Sequence, residues 1–184
     1  CPPYASKRFA DKTVAELRAQ ASYNIGCGGL QTQGVLASLV GGSRGPPLVP
    51  ATFDAEVLAT RRFTNGADHA VVASLYKKTA EALLASTPTL EFTGLAWSPA
   101  QFAHLAAALR LTRALEMLVL SGMPLDDERA RALLPALPRT LRTLKLFACQ
   151  HFTALPELPA LPALRELNLQ SCMSLAALPD LSGL

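Results

Sequence analysis

A chain of 184 residues suits one domain with an appendage, and it is long enough to bury a sizeable core. Half of its residues are hydrophobic and only 17% are charged, against roughly 25% in ordinary soluble domains. Either an alanine-rich compositional bias or burial against partners accounts for that. The net charge of +3, from 17 basic and 14 acidic residues scattered along the chain, argues against a nucleic-acid partner, and the apolar run Gly34–Val40 falls far short of a transmembrane segment.

The chain opens at Cys1 without a methionine, so a processed product or a piece of something longer is expected. Residues 1–50 read as an irregular arm with two short helices. Thr13–Tyr23 carries Val14, Leu17 and Ala21 on one face; Gln31–Val40 carries Val35, Leu36 and Leu39. Between them, Gly26-Cys27-Gly28-Gly29 reads as a turn, because no GxxxxGK[ST] pattern and no preceding strand make it a phosphate loop. Gly41–Pro50 is a linker or an extended arm.

Residues 51–86 are expected to form a helical cap. Thr52–Phe63 has Phe53, Val57 and Leu58 apolar, and Asn65-Gly66 turns the chain. Asp68 then caps a longer helix to about Ser86, bearing Val71, Val72, Leu75, Leu83 and Leu84. That helix would shield the first hydrophobic layer of residues 87–184, a layer that a stack of repeats leaves bare.

From residue 87 to 184 the chain repeats itself. The segments are Leu90–Leu95 (LEFTGL), Leu115–Met123 (LEMLVLSGM), Leu141–Cys149 (LRTLKLFAC) and Leu164–Cys172 (LRELNLQSC). The last three share the template LxxLxLxxC, with Met123 in the cysteine place, and the first keeps only its later half. Leu90, Leu118, Leu144 and Leu167 are separated by 28, 26 and 23 residues, within the range of about 20–29 for leucine-rich repeats. In an extended strand alternate side chains face opposite ways, so Leu144 and Leu146 should point inward and Lys145 outward. Cys149 and Cys172 then read as buried rungs at the bend after each strand, with a mutual disulfide or a reactive thiol as the other readings. Cys1 and Cys27 are left unassigned, paired or not.

The connections between repeats change along the chain. Ser98-Pro99-Ala100-Gln101 followed by Phe102, Leu105, Ala106 and Leu109 is a helix start with an apolar stripe. Asp126-Asp127-Glu128 before Ala130, Leu133, Leu134 and Leu137 starts another. After Cys149 the prolines at 156, 159 and 162 forbid a regular helix and favour extended or polyproline turns. The helical repeats resemble the ribonuclease-inhibitor type of leucine-rich repeat. The string CxxLxxLPxLPxLxxLxxLxLxxCxxLxxLP resembles the repeats of plant disease-resistance receptors and of related algal proteins. The resemblance covers roughly residues 86–184, about four repeats with the last one open. It implies an α/β fold: a short solenoid with parallel strands on its concave face and helices, then extended turns, on its convex face.

Such a solenoid would expose Thr89, Glu91 and Thr93; Met117, Val119 and Ser121; Thr143, Lys145 and Phe147; and Glu166, Asn168 and Gln170 on its concave sheet. Met117, Val119 and Phe147 are apolar where solvent is expected, and Arg142, Lys145, Glu166 and Asn168 rim them, which marks a candidate protein-binding patch. Nothing in the chain reads as catalytic. GxSxG, HExxH and dinucleotide fingerprints are missing, and Asp68-His69 near Lys77-Lys78 reads as a solvated helix start. Trp97 is expected to pack into the turn before its helix. Neither a cofactor nor a metal is expected, since His69, His104 and His151 lie far apart and no CxxC occurs.

The functional expectation is a non-catalytic subunit that braces other protein subunits of a larger assembly. The alternative is a ligand- or protein-recognition fragment of a receptor or signalling protein. The resemblance to algal repeat proteins implies an organelle home, the chloroplast, with peripheral attachment to a membrane complex such as a photosynthetic supercomplex; otherwise the cytoplasm is expected.

Overall fold

The computed structural model describes residues 45–62 and 66–181. The expected helices at Thr13–Tyr23 and Gln31–Val40, the Gly26–Gly29 turn, Cys1, Cys27 and the Asn65 position lie outside the described residues. Those described form a mixed α/β fold around one four-stranded sheet in the order β1-β2-β3-β4, with every neighbour parallel. The strands are β1 (Thr89–Thr93), β2 (Met117–Ser121), β3 (Thr143–Phe147) and β4 (Glu166–Asn168).

The four template copies lie side by side without a slip. Leu90 pairs with Leu118, Leu118 with Leu144, and Leu144 with Leu167. A one-residue slip would turn every buried leucine to the open face, so the alternating pattern holds the register. Leu118, Leu120, Leu144 and Leu146 are fully buried, while the residues between them are half-buried on the other side. One contiguous hydrophobic cluster runs from Leu90 to Leu181 behind the sheet.

Two helices cover the back of the first rungs. The first of these, α3 (Pro99–Leu109), begins with a reciprocal cap: Gln101 N–H donates to Ser98 Oγ, and Ser98 N–H donates to Gln101 Oε1 at 2.9 Å. It buries Phe102, Leu105 and Leu109. The second, α4 (Asp127–Leu133), is capped by Asp126, whose Oδ1 accepts from Arg129 N–H at 2.8 Å, and runs into a 3-10 turn at Leu134–Ala136. Beyond Cys149 no helix forms at the back of the sheet among the described residues, where the prolines stand. Extended segments pair there directly through an Ala154–Ala177 bridge, with Ala176 N–H donating to Thr153 O at 2.9 Å. Phe152, Leu155 and Leu161 fill the space a helix would have filled.

Ahead of the sheet lie α1 (Pro50–Glu56), a 3-10 turn at Leu58–Thr60, and α2 (Gly66–Ser86). Two expectations need correcting here. The helix expected over Thr52–Phe63 starts two residues earlier, at Pro50, and yields to the 3-10 turn after Glu56. Proline at the first position suits a helix start, since its missing N–H has no partner there in any case. Asp68 sits inside the first turn of α2 rather than capping it. Of the apolar residues of α2, Leu84 is buried, whereas Val71, Leu75 and Leu83 are 56%, 61% and 60% exposed; the first-rung residues Leu90 and Phe92 are themselves buried.

Candidate functional site

The free face of the sheet is built from the residues between the buried leucines. Strand register arranges them in rows. Thr89, Met117, Thr143 and Glu166 form the first, and Glu91, Val119, Lys145 and Asn168 the second. Thr93, Ser121 and Phe147 form the third. Adjacent strands stand about 4.8 Å apart, so the whole array is a shallow plate about 15 Å wide.

Of the seven residues expected to form a binding patch, six lie on this face and one lies at its edge. Met117 and Val119 are successive outward residues of β2, and Phe147 stands diagonally across on β3, beside Ser121. All three are half-buried. Lys145 Nζ lies 3.3 Å from Glu166 Oε1, and Thr143 Oγ1 donates to Glu166 Oε2 at 3.5 Å. Those two charges neutralise each other across β3 and β4. Asn168 Oδ1 accepts from Gln170 N–H at 2.9 Å, which shapes the turn after β4. Arg142 precedes β3, where it pairs with Glu116 at 3.5 Å. Glu116 is a residue the sequence reading did not single out; it stands one position before β2, as Arg142 does before β3 and Arg165 before β4. Among the described residues Glu91 has no ion-pair partner, so it is the unbalanced charge of the face.

At the carboxyl ends of the strands the chain turns through a left-handed residue each time. Gly94, Gly122, Ala148 and Ser171 have φ of 66°, 59°, 54° and 58°. Glycine takes this conformation freely, whereas Ala148 and Ser171 hold it against steric resistance. Beside these turns is an open cleft of about 250 Å³, bordered by Gly94, Gly122, Met123, Ala148, Gln150 and His151. Gln150 Nε2 donates to Ser171 O, and Ser174 Oγ donates to Gln150 O. Among the cleft's described lining residues His151 is the one ionisable side chain.

The two buried cysteines come directly after these turns. Cys172 Sγ donates to Leu146 O at 2.9 Å, and Cys149 Sγ lies 3.8 Å from Leu120 O. Neither cysteine is in a disulfide, and both tie one repeat to the backbone of the previous one. Hydrogen bonding with Cys172, and then burial, push the Cys149 thiol far above the ordinary range. It therefore stays protonated and un-nucleophilic at neutral pH. Trp97 is buried between Phe92 and Phe102, with ring centroids at 4.7 and 5.6 Å. His69 lies 3.3 Å from Asp54, and His104 lies 3.0 Å from Glu56. These pairs brace α1 against α2 and α3.

Among the described residues no group of three or more His, Cys, Asp and Glu is placed to hold a metal ion, and no helix is long and apolar enough to cross a membrane. No family model, no curated protein and no solved structure matches the chain.

Proposed function

We propose that this chain is a leucine-rich-repeat module whose open sheet face binds another protein, and that it works as a non-catalytic bracing subunit of a larger assembly. The observation that carries the reading is the in-register plate of four parallel strands with Met117, Val119 and Phe147 grouped on its outward side. A rigid plate of this kind suits recognition, because its side chains are held in place by the buried leucines beneath them. Partner contact would complete the burial of the three apolar groups, and Lys145, Glu166 and Glu91 would set orientation. Large apolar anchors and a polar rim are the usual anatomy of such a contact.

The resemblance of the LPxLP repeats to algal proteins makes chloroplast complexes the first place to look for that partner. The test is gentle native purification from the source organism with mass spectrometry of what co-migrates, run beside the double variant Met117→Glu/Phe147→Glu. Stoichiometric co-migration that the variant loses supports the reading. A free chain, or co-migration that the variant keeps, overturns it; a free chain that is captured only on adding a ligand moves the weight to a recognition module.

A further inference from the structure

The two ends of the strands differ in charge. Past their carboxyl ends, residues 94–97, 122–125, 148–151 and 171–174 hold no Asp, Glu, Lys or Arg. Ahead of their amino ends, residues 110–116, 138–142 and 162–165 hold Arg110, Arg113, Arg139, Arg142 and Arg165, with Glu116 as the one acid. All of these charged side chains are exposed. The fold stacks them along one rim. Glu116, Arg142 and Arg165 each stand one place before a strand, where Arg142 N–H donates to Glu116 O and Arg165 N–H to Arg142 O, both at 2.8 Å. Arg113 and Arg139 each stand two places before a fully buried leucine, Leu115 and Leu141. Thr140 Oγ1 donates to Leu115 O at 2.7 Å, which ties those two turns side by side.

Neighbouring rungs stand about 4.8 Å apart, so positive charge recurs at that interval. Arg142 is paired with Glu116 at 3.5 Å. Among the described residues Arg110, Arg113, Arg139 and Arg165 have no ion-pair partner. Such a row repels itself, and an anion laid along it relieves the repulsion. The guanidinium fork fits carboxylate and phosphate alike, so the surroundings choose between them. Single-stranded nucleic acid stacks its bases on aromatic side chains, and the three rim segments contain no Phe, Tyr, Trp or His. An anionic membrane surface takes basic residues beside inserted apolar ones, but the exposed large apolar side chains, Val71, Leu75, Leu83 and Met173, belong to other segments. An acidic polypeptide needs neither feature.

We infer that this rim is a docking strip for an acidic segment of another protein, whose carboxylates pair with Arg113, Arg139 and Arg165. Charge-assisted, two-pronged hydrogen bonds from these guanidinium groups hold the segment across the rungs. The strip uses none of Met117, Val119 and Phe147, so it stands or falls apart from the sheet-face reading.

The experiment titrates a fluorescein-labelled oligoglutamate peptide with the full chain at low salt and reads fluorescence anisotropy. Binding that weakens as salt is added is expected. The double variant Arg113→Glu/Arg139→Glu should weaken it at least about tenfold. Arg61→Glu/Arg62→Glu makes the same change of charge at exposed positions away from the strands, and it should shift binding less than about twofold. Circular dichroism checks that each variant keeps its fold, and Arg165→Glu alone, with at least about a threefold loss expected, serves as the second rim variant. Oligothymidylate and phosphatidylserine vesicles are titrated in the same way. No binding of the peptide, equal losses in the two double variants, or tighter binding of the oligonucleotide or the vesicles that the rim variant abolishes would overturn the inference.

Discussion

The repeat region from Leu90 to Leu181 and the helical region from Gly45 to Ser86 both carry abundant leucine and valine, but use them differently. In the repeats, template leucines fall into one cluster, and Leu118, Leu144 and Leu146 see no solvent. In α2, Val71, Leu75 and Leu83 face outward. The lesson is that apolar content does not build a core unless its period matches the element that carries it. A strand buries every second residue, and the repeat template supplies leucine at that spacing. The α2 sequence supplies apolar residues on several sides of the helix, so some of them cannot be covered by one neighbour.

The largest test of this contrast is Leu144→Ala, which opens a void in the middle of the stack. It should cost about 3–4 kcal/mol, read as a lower urea midpoint, whereas a loss under about 1 kcal/mol would mean that the rungs are not the source of stability. Next comes Asp127→Asn. Asp127 accepts from Thr153 N–H at 2.7 Å, from the Thr153 hydroxyl and from Ala154 N–H at 3.1 Å, tying one repeat to the next. Its carboxyl is held below the ordinary carboxylate value, first by the Thr153 hydroxyl. The bonds favour the ionised form, so their stabilisation is complete above the unfolded value of about 3.9 and fades as pH falls through the lower folded value. The variant should lose about 1 kcal/mol at neutral pH, and the gap to the parent should close in acid. A gap independent of pH would contradict this account.

Glu56→Gln addresses the seam between the two regions. It weakens the contact with His104, and amides of α1 should exchange a few-fold faster while those of β2 and β3 keep their protection. Equal acceleration in the strands would show that the two regions open together. The smallest effect is expected for Leu75→Ser on the outer side of α2. A thermal midpoint shift equivalent to under about 0.5 kcal/mol is expected, and a large loss would show that this face is covered in solution.

Much of the sheet was legible in the residues alone. LxxLxLxxC recurs with a leucine at every inward strand position, so the strands, their sides and the buried cysteines could all be read from the spacing. Ser98-Pro99 and Asp126 marked the two helix starts because caps are local chemistry. The proline series after Cys149 likewise excluded a helix by removing N–H donors. The candidate patch was legible only as a set of outward residues. The sequence had no means to say that Arg142 turns to Glu116, that Lys145 and Glu166 neutralise each other, or that Asn168 is occupied by Gln170 N–H, since these depend on which groups the folded chain brings together.

What the sequence by itself determined is therefore the period: a strand-spaced leucine template that buries one face, its capped or proline-blocked connections, and the small residues at each bend. The tertiary structure alone decided how the amino-terminal end of that pattern is finished. Whether α2 seals the first rung depends on the angle and distance between a helix and a sheet edge, quantities no local spacing encodes. The same holds for the pairing of charges across strands, where lateral register, rather than position in the chain, chooses the partner.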